Sequence, residues 1–108
     1  MTDIDASATQ CAEAAKNYCE ATKALKAAET QLQNTPEPDA GDFLEKIAQA
    51  NDWSRSPRPK PEKVVEDYAR ALNAREKAED AHAKAEAAAD KARLTFESKL
   101  DLLRQALG

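Results

Sequence analysis

Glu79 and His82 stand three residues apart. On a helix that spacing puts both side chains on one face, and it matches the Glu-x-x-His element with which helical bundles hold a pair of iron ions. A complete site needs a second such element and two further glutamates. His82 is the single histidine of the chain, so only a dimer supplies the set, and the simpler reading is a solvated or seam-edge histidine. No metal is expected. A Cys–His couple joining Cys11 or Cys19 to His82 is open to a helical hairpin, but nothing around those residues would form an oxyanion hole. Glycine occurs only at positions 41 and 108, which leaves no glycine-rich phosphate loop, and no strand is at hand to mount a nucleophile elbow. The expectation is a protein without catalytic residues or cofactor.

The stretch Trp53-Ser-Arg-Ser-Pro-Arg-Pro-Lys-Pro61 is chemically the most distinct. Its alternating prolines favour an extended polyproline conformation that displays Arg55, Arg58 and Lys60. Such a segment can grip phosphate, RNA or an acidic protein surface, with Trp53 as a stacking or anchoring group. It contains no Pro-x-x-Pro spacing, which argues against a conventional SH3 ligand. The plainer reading is a stiff linker with Trp53 folded back as an apolar plug.

Composition bounds what these residues can be mounted on. The chain has 108 residues and a net charge of −4, enough for one domain. Of its 45 hydrophobic residues 24 are alanine, and only 15 are Leu, Ile, Val or Phe. That composition predicts a thin-cored stack of helices of the kind that is often stable only as an oligomer or complex. Residues 1–52 carry ten acids and four bases, residues 53–60 three bases and no acid. No basic face is long enough to wrap duplex DNA. The start Met-Thr-Asp-Ile-Asp has neither a cationic nor an apolar segment of the secretory kind. No apolar run approaches the ~18 residues of a membrane span, so a soluble, cytoplasmic protein is expected. Cys11 and Cys19 sit about 12 Å apart along a helix axis, beyond the ~7 Å that a disulfide bridges. Two small buried thiols in a reducing compartment are the expectation.

Three helices position these groups. The first is predicted over residues 5–33, with Thr2, Asp3 and Asp5 available as caps and Pro36 beyond its end. Ile4, Cys11, Tyr18, Leu25 and Leu32 recur every seventh residue, with Ala8, Ala15 and Thr22 four places after the first three. This is a heptad seam. A short helix over 39–51 takes Asp39 as cap and carries Phe43, Leu44, Ile47 and Ala48 on one face. A linker follows over 52–60. From Pro61 to Leu107 the chain runs 47 residues with no glycine or internal proline, roughly 70 Å of helix. Its stripe passes through Val64, Tyr68, Ala71, Arg75, Ala78, His82 and onward to Phe96, Leu100, Leu103 and Leu107. The spacing slips toward an eleven-residue repeat near the end. The pairs Glu66–Arg70, Asp80–Lys84 and Arg93–Glu97 dress the outer face.

Between Leu72 and Leu94 the only apolar residues are nine alanines, a seam on which larger knobs of the first helix can sit. Placing residue 33 opposite residue 61 in an antiparallel pair puts Leu25 near Ala69, Tyr18 near residue 76, Cys11 near Ala83 and Ile4 near Asp90. In that register Leu94, Phe96, Leu100, Leu102, Leu103 and Leu107 overhang. Leu94, Phe96, Leu100, Leu103 and Leu107 are then the candidate self-association surface. In length and outline the chain is similar to the ESX-secreted helical hairpins, with a tryptophan near the central turn. Their Trp-x-Gly signature is not met, since Trp53-Ser54 is followed by Arg55, and the extra helix departs further, so the resemblance is one of shape.

The function expected from these observations is a non-enzymatic interaction module. It is an all-α, antiparallel helical hairpin or coiled coil, oligomeric, acting as adaptor or inhibitor of a partner protein, as phage and mobile-element accessory proteins do. Trp53, Arg55, Arg58 and Lys60 are the partner-contact candidates. The alternatives are nucleotide or nucleic-acid binding through residues 53–60, and a structural scaffold rod. The expected partners are the chain itself and another protein, with no membrane.

Overall fold

Proline and aspartate set the element boundaries. The computed structural model describes residues 2–108, with side chains from Ile4 onward, and its elements are α1 (Thr2–Gln33), α2 (Ala40–Ala50) and α3 (Pro61–Leu107). The predicted caps Thr2 and Asp3 lie outside the described side chains, and α1 starts before Asp5. Its last turn closes just ahead of Pro36 through Asn34 N–H to Thr30 O (3.0 Å) and Thr35 N–H to Leu32 O (3.2 Å). Asp39 caps α2, its carboxylate accepting the Gly41 N–H at 2.8 Å. Pro61 opens α3, where a missing N–H costs nothing. Of the three expected surface pairs, Glu66–Arg70 and Arg93–Glu97 close and Asp80–Lys84 does not, among the described residues.

α3 is the spine. α1 and α2 each pack on it and not on each other, giving a rod of 85 × 16 × 14 Å. Its radius of gyration is 24.4 Å, against about 13 Å for a compact chain of this length. Ile4, Cys11, Tyr18, Leu25 and Leu32 face inward as the heptads require. The second inward row is Ser7, Ala14, Ala21 and Ala28, three residues on rather than four, and Ala8 and Thr22 are exposed. On α3 the inward positions keep a strict heptad from Val64 to Leu103, without the expected slip, and Leu107 is out in solvent. Among the described residues Cys11, Ala14, Ala50, Ala78 and Ala89 are the buried apolar ones, and no large side chain is fully buried.

The register differs from the expected one. Tyr18 stacks obliquely on Phe96 (centroids 5.9 Å apart), Gln10 meets Lys99 (3.4 Å), and Glu29 lies 3.8 Å from His82. The offset is about 15 to 20 residues, roughly 22–30 Å of helix. α2 is the cause. It lies along the first turns of α3, with Phe43 stacked on Tyr68 at 4.2 Å and Ala50 only 1% exposed. That displaces α1 toward the C-terminal end. The expected overhang at 92–107 therefore does not exist, and the stretch beyond α1 is the start of α3, already covered by α2. The inward face of α2 is Phe43, Ile47 and Ala50, whereas Leu44 and Ala48, expected there, are exposed. No helix among the described residues is long and apolar enough to cross a membrane.

Candidate interaction surfaces

The tip of the rod, where α2 returns into α3, gathers the basic residues of the linker. Asp52 organises it. Its carboxylate accepts hydrogen bonds from the Ser54 hydroxyl (2.6 Å) and the Ser54 N–H (3.1 Å), and the Arg55 N–H donates to its backbone carbonyl (3.1 Å). The Ser54 hydroxyl, the Ser54 N–H and then the charges of Arg55 and Arg58 hold the Asp52 pKa below its ordinary 3.8. This turn throws Trp53 outward. It is 84% exposed, the most exposed large apolar side chain described, and it is not the plug that the sequence suggests.

Arg58 folds back over Trp53, its guanidinium carbon 3.5 Å from the ring centroid, in a cation–π stack. The first half of the linker is thus a compact turn, not the extended display of cations expected from its prolines. One guanidinium nitrogen of Arg58, Nη1, is buried without a hydrogen-bond partner. Trp53, Arg58 and Lys60 line a shallow hollow of about 320 Å³ whose floor is Ala50 and Pro61. Arg55 is exposed and lies outside the residues lining it.

A second cleft, of about 350 Å³, lies between α2 and α3 and was not anticipated. Phe43, Val64 and Tyr68 form its apolar floor, and the Asp42–Lys46 and Asp67–Lys63 pairs stand at its rim. The signal for it in the sequence is weak, because Phe43 and Tyr68 meet only once α2 is laid antiparallel on α3.

The candidate self-association residues divide. Phe96, Leu100 and Leu103 are half-buried, and Leu94 and Leu107 are 58% and 65% exposed. Glu79 does not join His82, because Arg75 Nε holds its carboxylate at 2.8 Å. His82 instead lies between Glu29 (3.8 Å) and Glu86 (3.9 Å). No group of three metal-ligating side chains forms among the described residues. Cys11 is buried as expected. Cys19 is exposed, since it falls one place after Tyr18 and off the seam.

Arg75 is the polar residue that sequence reasoning placed on the stripe without giving it a task. Its Nη1 donates to the carbonyl oxygens of Leu32 (3.2 Å) and Thr35 (3.0 Å), at the C-terminal end of α1. The last turn of α1 has no basic residue of its own. Arg75 brings a positive charge and two donors to the carbonyls there, from across the seam. A lone arginine at an inward heptad position was the available signal.

No family model, curated protein or solved structure matches the chain.

Proposed function

We propose that the chain is a non-enzymatic protein-interaction module, an oligomeric helical hairpin that acts as adaptor or inhibitor by occupying a partner's surface. Trp53 carries this reading. A tryptophan 84% exposed, held flat by Arg58 at the end of a narrow rod, has the residue types and the prepaid order of an interface anchor. The thin core supports the oligomeric part, since an 85 Å rod in which no large side chain among the described residues is fully buried gains from further packing.

Used as bait in its source cells, the chain is expected to retain a protein that the Trp53→Ala, Arg58→Ala variant loses while its circular dichroism is unchanged. Retention unaffected by both substitutions counts against the reading. Anion binding, of a nucleotide or nucleic acid, is the second reading, favoured by the unpartnered Arg58 nitrogen beside the helix start at Lys60–Pro61. It requires oligonucleotide binding that falls steeply with salt and vanishes with Arg55→Ala, Arg58→Ala.

A further inference from the structure

One flank of α3 is self-complementary. The residues that directly follow the inward Val64, Ala71, Ala78, Ala85, Ala92 and Lys99 are Val65, Leu72, Glu79, Glu86, Arg93 and Leu100, and Leu107 continues their sevenfold spacing. The inward row keeps a strict heptad, so the helix supercoils with α1 and α2 and this neighbouring row stays on one side along its length. None of the seven is buried: Val65 is 50% exposed, Leu72 41% and Leu107 65%, the Glu79, Glu86 and Arg93 side chains 52%, 60% and 43%, and Leu100 is half-buried.

Read from either end, the row has the same pattern: apolar, apolar, charged, Glu86 at the centre, charged, apolar, apolar. The charged places are of opposite sign. A two-fold axis beside Glu86 sets Val65 against Leu107 of the partner subunit, Leu72 against Leu100 of the partner subunit, and Glu79 against Arg93 of the partner subunit. Each contact then occurs twice, as an isologous interface requires.

We infer that two copies of the chain pair antiparallel along this flank of α3, with the two-fold axis at Glu86. The inference rests on the oligomeric reading above and adds the face and the stoichiometry. Uncovered surface is ample over the rod as a whole. The chain exposes 8154 Å², whereas a compact monomer of 11.8 kDa exposes about 5,900 Å². The excess of about 2,200 Å² is well over the ~800 Å² that each partner contributes to a stable pair. The row is about 63 Å long at 1.5 Å per residue. Arg93 is held within its own helix by exposed Asp90 and Glu97, pairs that re-form at little cost, and Glu79 by Arg75, a side chain only 26% exposed that also caps α1. One term opposes the pairing. Two Glu86 carboxylates meet at the axis, where like charges repel. Leu94, two places beyond the inward row, lies on the far side of α3 and takes no part.

Sedimentation and thiol cross-linking of the full-length chain test this together. In a Cys19→Ser background, Glu86→Cys is expected to give a covalent dimer with a short bis-maleimide, and Leu94→Cys to give none. Leu72→Asp, at an exposed position, is expected to leave the helix content intact and yield monomer. Arg93→Glu should weaken the dimer several-fold, Glu79→Arg with Arg93→Glu should restore it, and Glu86→Gln should tighten it. An oligomer that survives Leu72→Asp and leaves Glu86→Cys unlinked overturns this face while the oligomeric reading stands. A chain that is monomeric at every concentration, its flank left to a foreign helix, overturns both.

Discussion

The α1–α3 seam and the α2 end of the rod are built on opposite plans. Along the seam the same small residue recurs, with Ala78, Ala85, Ala89 and Ala92 on α3 facing Ala14, Ala21 and Ala28 on α1. At the other end each contact is unique: Phe43 on Tyr68, Asp39 on Gly41, Asp52 on Ser54, Arg58 on Trp53. A repeated seam supplies length and rigidity but says little about register, because a slip of one heptad exchanges alanine for alanine. Register must come from its few irregular members. These are the Tyr18–Phe96 pair and the Arg75 cap at the end of α1.

The largest effect is therefore expected at the irregular contacts of the seam. Phe96→Ala removes a half-buried ring from a thin interface and should lower the unfolding free energy by about 2–3 kcal/mol, read by urea denaturation. Arg75→Ala should cost about 1–2 kcal/mol and fray the last turn of α1, seen as faster amide exchange at Gln33–Thr35. Arg75→Lys should not recover the whole loss, since an ammonium does not present the same fork. An Arg75→Ala protein with unchanged exchange there would remove the cap from the account.

These two contacts also mark where the sequence stops being legible. Pro36, Asp39 and Pro61 announce the helix boundaries, and the inward row of α3 from Val64 to Phe96 reads directly from its threes and fours, whereas beyond Phe96 Lys99 holds the inward place that the larger Leu100 suggested for itself. The second row of α1 does not, because Ala8 and Ala15 are as small as Ser7 and Ala14, and volume cannot choose between steps of three and four. The register fails for the same reason, compounded by the length of α3 that α2 occupies. Trp53 was legible as unusual. Its outward direction was not, because that depends on the turn around Asp52 and not on hydrophobicity.

At the α2 end the effects should be smaller and local. Phe43→Ala is expected to release α2, raising amide exchange over Ala40–Ala50 by about 1 kcal/mol of local opening, with the α1–α3 pair untouched. The smallest effect concerns Asp52. Its depressed pKa means that the stabilisation of its turn is present above the ordinary value of 3.8 and lost as pH falls through the lower folded value. Trp53 fluorescence should therefore hold steady down to that pH and change below it, and Asp52→Asn should abolish the step. A midpoint at or above 3.8 would contradict the hydrogen bonds from Ser54.

α1 covers the C-terminal two-thirds of α3 and leaves the beginning to α2. Spin-label distances test it most directly, from Gln33 to Lys77 and from Gln33 to Glu62, in chains diluted with unlabelled protein so that only intrachain pairs are read. The register described here makes the Gln33–Lys77 distance the shorter of the two by roughly 10 Å or more, since residue 33 lies alongside the Arg75 turn. A Gln33–Glu62 distance shorter than Gln33–Lys77 would contradict it, and with it the placement of α2.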